Sequence, residues 1–142
     1  MSGTQIPTRG DERPSVRLKR VYAPAAASDG FRVLVDRLWP RGLTKQEARV
    51  DRWLKAVAPS SGLRRWYHAD LLRWGEFRRR YKLELSRAET PSNAALNELR
   101  EIVRAHCERG GQGVTLVFGA KDEERNHAIV LLQVLLGSAR SA

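Results

Sequence analysis

The chain has 142 residues, 42% of them hydrophobic, and a formal net charge of +10 at pH 7. This length suits a single domain that buries its own core without metals or disulfides. The one cysteine, Cys107, excludes an intramolecular disulfide, and the sequence has no Cys/His spacing of the zinc type. No segment approaches the roughly 18 apolar residues of a membrane span. The N-terminus is polar rather than signal-like, so we expect a cytoplasmic protein with no membrane partner.

The positive charge is distributed unevenly along the chain. Residues 36–68 carry eight Lys or Arg against three acids, whereas residues 91–142 carry six of each. A basic excess favours an anionic partner, either a nucleic acid or a small molecule with a phosphate or carboxylate group. A general preference for arginine on solvated faces explains the same excess equally well.

The first half of the chain predicts two strands and a short helix. Residues 1–14 are polar with mixed charge, and we expect them to form a disordered tail. Alternating apolar and basic residues from Val16 to Tyr22 predict a first strand, and the apolar run from Phe31 to Val35 predicts a second strand covered on both faces. Thr44 followed by Glu47 matches a capping box, which predicts a short helix.

The middle of the chain is predicted to be mainly helical. The apolar segment 53–57 either continues the first helix or forms an edge strand. Ser60 or Ser61 is expected to cap a helix that runs through Trp66. Four apolar residues then recur at helical spacing, and these are Trp74, Phe77, Tyr81 and Leu85.

The last third predicts a helix, a strand and a helix. Pro91 follows Thr90 at the start of a helix that the Gly110-Gly111 pair should end. The apolar run from Val114 to Phe118 predicts a third clear strand. A final helix is expected to be capped by Asp122, to run to Leu136 and to stop at Gly137.

This alternation of strands and helices predicts an α/β fold. We expect one three-layer domain over residues 15–137, with a small, mainly parallel sheet flanked by helices. Residues 138–142 are then a flexible C-terminal tail.

Charged side chains follow two of the predicted strands. Asp36, Arg37, Trp39 and Arg41 follow the second strand, and a second set, Lys121, Asp122, Asn126 and His127, follows the third. Ligands of open α/β sheets bind outside the C-terminal ends of the strands. If these two strands are parallel neighbours, both sets open on the same edge.

The first set has a functional and a structural interpretation. Arg37 and Arg41 can each bind a carboxylate or phosphate through two hydrogen bonds, with Asp36 orienting one of them. Alternatively, Asp36 pairs with an arginine, Trp39 fills the core and Arg41 caps a helix. For any single residue the structural interpretation is favoured slightly, but for the whole set it is not.

In the second set, Lys121 at a predicted helix start suits an anion, but the acidic residues from Asp122 to Glu124 oppose one. The glycines match neither a phosphate-binding loop nor a dinucleotide fingerprint, so we expect no cofactor, and no metal site is predicted. His127 is a candidate general acid or base, although a structural histidine is more common at such a position. His68 has the same two interpretations.

The candidate catalytic residues are Asp36, Asp122 and His127. The candidate ligand-binding residues are Arg37, Trp39, Arg41, Arg64, His68, Lys121 and Asn126.

Four tryptophans alternate with arginines between residues 39 and 74. For a nucleic acid this pattern offers aromatic surfaces for stacking beside phosphate-binding charge. The commoner explanation is that each tryptophan anchors an amphipathic element. Nothing in the sequence is typical of a helix-turn-helix with a recognition helix.

Several motifs together resemble a known bacterial family, domain of unknown function 488. They include the run from Asp29 to Gly42, the segments 53–55 and 58–60, and the strand 114–116 with residues 120–122 and 126–128. The resemblance covers roughly residues 16–136. It implies a small stand-alone bacterial protein and carries no established reaction.

The leading hypothesis is therefore a basic pocket for a small phosphorylated, carboxylated or nucleotide ligand, with or without catalysis. The alternative is a non-enzymatic nucleic-acid-binding module that uses the basic surface of residues 37–82. The oligomeric state is left open.

Overall fold

A four-stranded sheet lies at the centre of the molecule, and every neighbouring pair of its strands is parallel. The computed structural model describes residues 15–108 and 111–141. The strand order is β1-β4-β2-β3. The strands are β1 (Val16–Arg20), β2 (Phe31–Leu34), β3 (Arg52–Trp53) and β4 (Val114–Phe118). The predicted α/β fold with a parallel sheet is confirmed.

Five α-helices connect or follow these strands within the described residues. They are α1 (Lys45–Ala48), α2 (Ser61–Ala69), α3 (Trp74–Ser86), α4 (Pro91–Cys107) and α5 (His127–Ser141). Short 3-10 turns occur at Ala27–Asp29, Lys55–Val57 and Leu71–Arg73. Nowhere in the described part of the chain is a helix long and apolar enough to cross a membrane.

The predicted helix starts are confirmed at three positions. Thr44 and Glu47 form the expected capping box at α1, with Thr44 Oγ1 accepting from Glu47 N at 3.1 Å. Ser60, rather than Ser61, caps α2, and α2 continues beyond Trp66 to Ala69. Thr90 caps α4, with Pro91 at its first position.

Other predicted boundaries are wrong. β1 and β2 end at Arg20 and Leu34, slightly earlier than expected. Of the two alternatives for segment 53–57, the edge strand is confirmed for its first residue, Trp53, which pairs with β2 in β3, whereas Lys55–Val57 forms a 3-10 turn. Gly137 does not stop α5, whose backbone continues to Ser141. The predicted tail 1–14 and Gly110 lie outside the described residues.

The two faces of the sheet are covered unequally. Alternate residues such as Val33, Leu116 and Phe118 face a core formed with α2, α3, α4 and α5. On the opposite face, Leu34 and Val117 pack in a smaller cluster with Ala48 of α1, Trp53 of β3 and nearby loop residues. The third layer of the domain is therefore thin.

Polar residues are also buried on this thinly covered face. The Asp29 carboxylate accepts hydrogen bonds from Lys19 Nζ at 2.9 Å and from Arg32 Nη1 at 2.6 Å. Arg32, only 3% exposed, donates its remaining hydrogen bonds to the carbonyls of Arg49 and Ala48. Every charged group of this cluster has a partner, so the cluster is structural.

Candidate functional site

The C-terminal ends of β2 and β4 are linked directly by the side chain of Asp36. Because the two strands are parallel neighbours, the residues that follow them meet at one edge, as the sequence predicts. Asp36 Oδ2 accepts a hydrogen bond from Gly119 N at 2.8 Å. The carbonyl of Asp36 accepts another from Trp53 Nε1 at 2.7 Å. Asp36 thus connects the ends of β2, β3 and β4, and it pairs with no arginine among the described residues.

His127, the first residue of α5, lies against the same strand exit. Its Nε2 is 2.9 Å from the carbonyl oxygen of Val35 and 3.3 Å from Asp36 Oδ1. A carbonyl oxygen can only accept, so Nε2 carries the proton and, in the neutral ring, Nδ1 does not. Asp36 Oδ1 is buried, and this ring is its only polar neighbour recorded in the described residues. The carboxylate therefore favours one orientation of the imidazole.

The loop before α5 has a different structure from the predicted one. Asp122 does not cap the helix, because its Oδ1 accepts from the amides of Glu124 and Arg125 in a separate turn. These hydrogen bonds lower the pKa of Asp122. The helix is instead capped by Asn126, whose Oδ1 accepts from Ile129 N at 3.0 Å.

Two adjoining cavities open at this edge, and we call them together the edge cavity. The larger has a volume of about 380 Å³ and the smaller about 240 Å³. Both are lined by Pro59, Arg64, His68, Ala120 and His127. The larger cavity is completed by Tyr67, Leu71, Phe77, Lys121, Asp122, Arg125 and Asn126. The smaller cavity is completed by Asp36, Arg37, Leu38, Ala58 and Gly119.

Three exposed cations line the larger cavity: Arg64, Lys121 and Arg125. Within residues 15–108 and 111–141, these three side chains form no hydrogen bond or ion pair. The charge of Arg125 nevertheless helps to lower the pKa of Asp122. Arg37 differs from them, because its guanidinium donates to the carbonyls of Pro59 and Ala58 at 3.2 and 3.1 Å.

Two further titratable groups respond to these charges. Burial, the Arg64 charge and His127 all lower the pKa of His68, which favours the neutral form of its ring. Burial and the Asp122 carboxylate raise the pKa of Tyr67, and Arg125 acts in the opposite direction. Apart from the two histidines, the charged side chains that line the larger cavity are the three cations and Asp122.

Eight of the ten predicted site residues line the edge cavity. The other two, Trp39 and Arg41, lie elsewhere. Trp39 packs edge-on against Trp53 with ring centroids 5.4 Å apart, and its Nε1 donates to the Leu43 carbonyl. Arg41 is exposed, and its carbonyl accepts from Tyr22.

Sequence reasoning missed Tyr67, Leu71 and Arg125 as cavity residues. The signal for Tyr67 was present, because it lies three residues from Arg64 and therefore on the same side of α2. Arg125 was not predicted to line a cavity because the predicted final helix, capped by Asp122, included it. No signal in the sequence distinguished Leu71 from Leu72.

The four tryptophans all pack against other protein groups. Arg73 and Arg80 lie over the ring of Trp66, and Lys55 lies 4.4 Å from the ring centroid of Trp53. Trp74 stacks on Phe77 with centroids 5.7 Å apart. These contacts match the amphipathic-anchor interpretation of the tryptophans.

The region of residues 15–108 and 111–141 contains no group of three His, Cys, Asp or Glu side chains placed to hold a metal ion. The larger cavity is lined by three Lys or Arg side chains and one Asp.

Comparison with known proteins gives one family and several relatives. The family model that matches is described as the "Inactive DUF488-N3 subclade" and covers residues 15–141. The chain is 39% identical over 117 residues to "Uncharacterized protein YeaO" of Escherichia coli (strain K12), covering 82% of this chain and 93% of that protein. It is 45% identical over 122 residues to "Uncharacterized protein Rv3073c" of Mycobacterium tuberculosis (strain ATCC 25618 / H37Rv), covering 86% and 94%. No solved structure matches it significantly. The chain therefore belongs to the DUF488 family, in the subclade that the model describes as inactive.

Proposed function

We propose that the protein binds a small anionic ligand in the edge cavity and leaves it chemically unchanged. The observation that carries this proposal is the group of three exposed cations, Arg64, Lys121 and Arg125, around the larger cavity. The ligand is then a phosphate- or carboxylate-bearing molecule of the cytoplasm, the compartment predicted from the sequence.

The balance of charge at the cavity supports an anion. Arg64 lies in α2 and Lys121 in the loop before α5, and among residues 15–108 and 111–141 neither side chain has a hydrogen-bond partner that would compete with a ligand. Arginine and lysine side chains in this state are available for charge-assisted hydrogen bonds to phosphate or carboxylate. Asp122 opposes an anion, but its Oδ1 is already engaged by two backbone amides.

Two separate observations support the proposal that the ligand is left chemically unchanged. The family model carries the word "inactive" in its description. In addition, one oxygen of each candidate catalytic carboxylate is engaged by the backbone, since Asp36 Oδ2 accepts from Gly119 N and Asp122 Oδ1 accepts from the amides of Glu124 and Arg125. His127 Nδ1 remains as the candidate base, with Asp36 orienting its ring.

Thermal unfolding with inorganic phosphate tests the binding site. A ligand that binds only the folded state raises stability by RT ln(1 + [L]/Kd), about 2.7 kcal/mol at a hundredfold excess over Kd. We expect phosphate to raise the melting temperature of the wild-type protein at constant ionic strength. The Arg64→Ala variant should lose most of this rise.

The matched control is Arg65→Ala, which removes the same charge from the next residue of α2. Arg65 is exposed and does not line the edge cavity. We expect its response to phosphate to equal that of the wild type. Equal losses in the two variants would mean that phosphate acts through net charge, and the site would then be rejected.

A second measurement separates binding from catalysis. Phosphate monoesters incubated with the protein should be recovered unchanged, as followed by ³¹P NMR. Release of inorganic phosphate that depends on His127 would contradict the assignment of a binding role.

A further inference from the structure

The edge cavity has a non-polar wall as well as its cations. We propose, on the basis of the proposed function, that the ligand is an acid that carries an aryl or alkyl group. The acidic group binds near Arg64, Lys121 and Arg125, and the non-polar group lies against Leu71, Tyr67 and Phe77.

Leu71 is the residue that most clearly indicates a preference for a non-polar group on the ligand. It is 58% exposed and lines the larger cavity, so much of its side chain faces water when the site is empty. Burying apolar surface is favourable by about 25 cal/mol per Å². A ligand with a non-polar group covers this surface, whereas a purely polar ligand leaves it in water.

The non-polar wall is held in place before any ligand arrives. Leu71 lies in the 3-10 turn Leu71–Arg73, which Asp70 caps by accepting from Leu72 N at 3.0 Å. Tyr67 and Phe77 stack with ring centroids 4.6 Å apart, and both are largely buried. A wall that is already ordered costs little conformational entropy when a ligand binds.

The larger cavity has more space than a bare inorganic anion fills. At about 30 Å³ of liquid volume per water, the larger cavity of about 380 Å³ corresponds to roughly a dozen waters. A five-atom phosphate replaces only a few of them. The remaining waters lie against Leu71 and its neighbours, and their release by a non-polar group adds affinity.

The smaller cavity also combines an exposed leucine with an arginine. Leu38 is 65% exposed and lines it together with Arg37. Because the guanidinium of Arg37 is already bonded to the carbonyls of Ala58 and Pro59, this cavity offers less free positive charge than its neighbour. Its contribution is therefore mainly additional non-polar surface.

Isothermal titration calorimetry with a series of phosphates tests the inference. The probes are inorganic phosphate, methyl phosphate, ribose 5-phosphate and phenyl phosphate, so that the acidic group is constant and the attached group changes. We expect phenyl phosphate to bind about tenfold more tightly than methyl phosphate, because the ring buries apolar surface. Ribose 5-phosphate should bind no more tightly than methyl phosphate. Phenylacetate, tested in parallel, distinguishes a preference for carboxylate from one for phosphate.

A matched pair of leucine variants tests whether Leu71 causes the preference for phenyl phosphate. Leu71→Ser should weaken phenyl phosphate several-fold and leave methyl phosphate unchanged. Leu72→Ser is the control, because Leu72 is 91% exposed and does not line the cavity, and it should change neither. Both leucines are exposed, so both variants should fold.

The possible failures are distinguishable. If none of the probes binds, the proposed anion site itself is wrong. If all four phosphates bind with similar affinity, or if ribose 5-phosphate binds more tightly than phenyl phosphate, the anion site stands and the non-polar preference is overturned. Equal effects of Leu71→Ser and Leu72→Ser would also overturn it.

Discussion

At the scale of single residues, burial and hydrogen bonding act in opposite directions on Asp29. Burial acts to raise its pKa, but hydrogen bonds from Ala26 N, Lys19 and Arg32 outweigh burial and lower the pKa to about 2. The stability that Asp29 contributes is therefore fully present above about pH 4 and is lost as the pH falls toward 2. The shift corresponds to about 2 kcal/mol, at about 1.4 kcal/mol per pKa unit.

Asp29→Asn tests this contribution. Removing the carboxylate leaves the buried Arg32 guanidinium without its counter-charge, which typically costs about 3–5 kcal/mol. We expect urea denaturation at pH 7 to show this loss, and between pH 4 and 2 the variant should lose less further stability than the wild type. Glu98→Gln, which removes an exposed pair with Arg52, is the control and should cost less than about 1 kcal/mol. An unchanged acid dependence in Asp29→Asn would contradict the assignment.

At the scale of elements, the start of α5 determines where two of the three cavity cations lie, Lys121 and Arg125. Asn126 is 4% exposed, and its side chain both caps the helix and donates to the Asp122 carbonyl at 2.8 Å. Asn126→Ala should therefore destabilise the protein by about 1–2 kcal/mol, measured by urea denaturation.

The control for this cap is Asn97→Ala, on the exposed face of α4. Alanine suits a helix interior, so this change should stay within about 0.5 kcal/mol of the wild type. A similar cost in both variants would indicate that Asn126 is not a cap. The Asn126→Ala variant should also weaken phosphate binding, because Lys121 and Arg125 lose their fixed positions.

The sequence predicted most elements because their signals are local. Val114 to Phe118 is an unbroken apolar run, and the Thr44–Glu47 box satisfies two backbone amides of the same helix. The start of α5 was mispredicted because Asp122 and Asn126 are both good caps. Asp122 instead forms a separate turn with Glu124 and Arg125, and this turn leaves Asn126 as the cap of α5.

The candidate site was predictable only in part, for a related reason. Parallel strands bring Asp36 and Gly119 to one edge, and this followed from the strand pattern. The positions of Arg64 and Leu71 depend instead on how α2 and α3 pack against that edge. Ser60, for example, donates to Glu84 of α3 at 2.6 Å, a long-range contact that no local pattern encodes.

At the scale of the whole molecule, the net charge of +10 keeps the nucleic-acid alternative open to test. Fluorescence anisotropy with single- and double-stranded oligonucleotides should show binding at low salt that weakens steeply as salt rises, because binding releases counterions. Arg65→Glu and Lys82→Glu, both within the basic surface 37–82, should reduce that salt dependence. Absence of binding at low salt, or binding that salt does not change, would remove this alternative.

The strand order also has a consequence for synthesis of the chain. β4 lies between β1 and β2, and Val16 and Phe31 both pair with Val114. In this sheet β1 has no partner until residues 114–118 have left the ribosome, and until then β2 can pair only with the two-residue strand β3. The nascent chain therefore carries largely unpaired strands for most of its translation. Such strands are prone to intermolecular pairing. Arg17 and Lys19 occupy alternate positions of β1. Before β4 has been synthesised, they give β1 a charged face that opposes association with other chains.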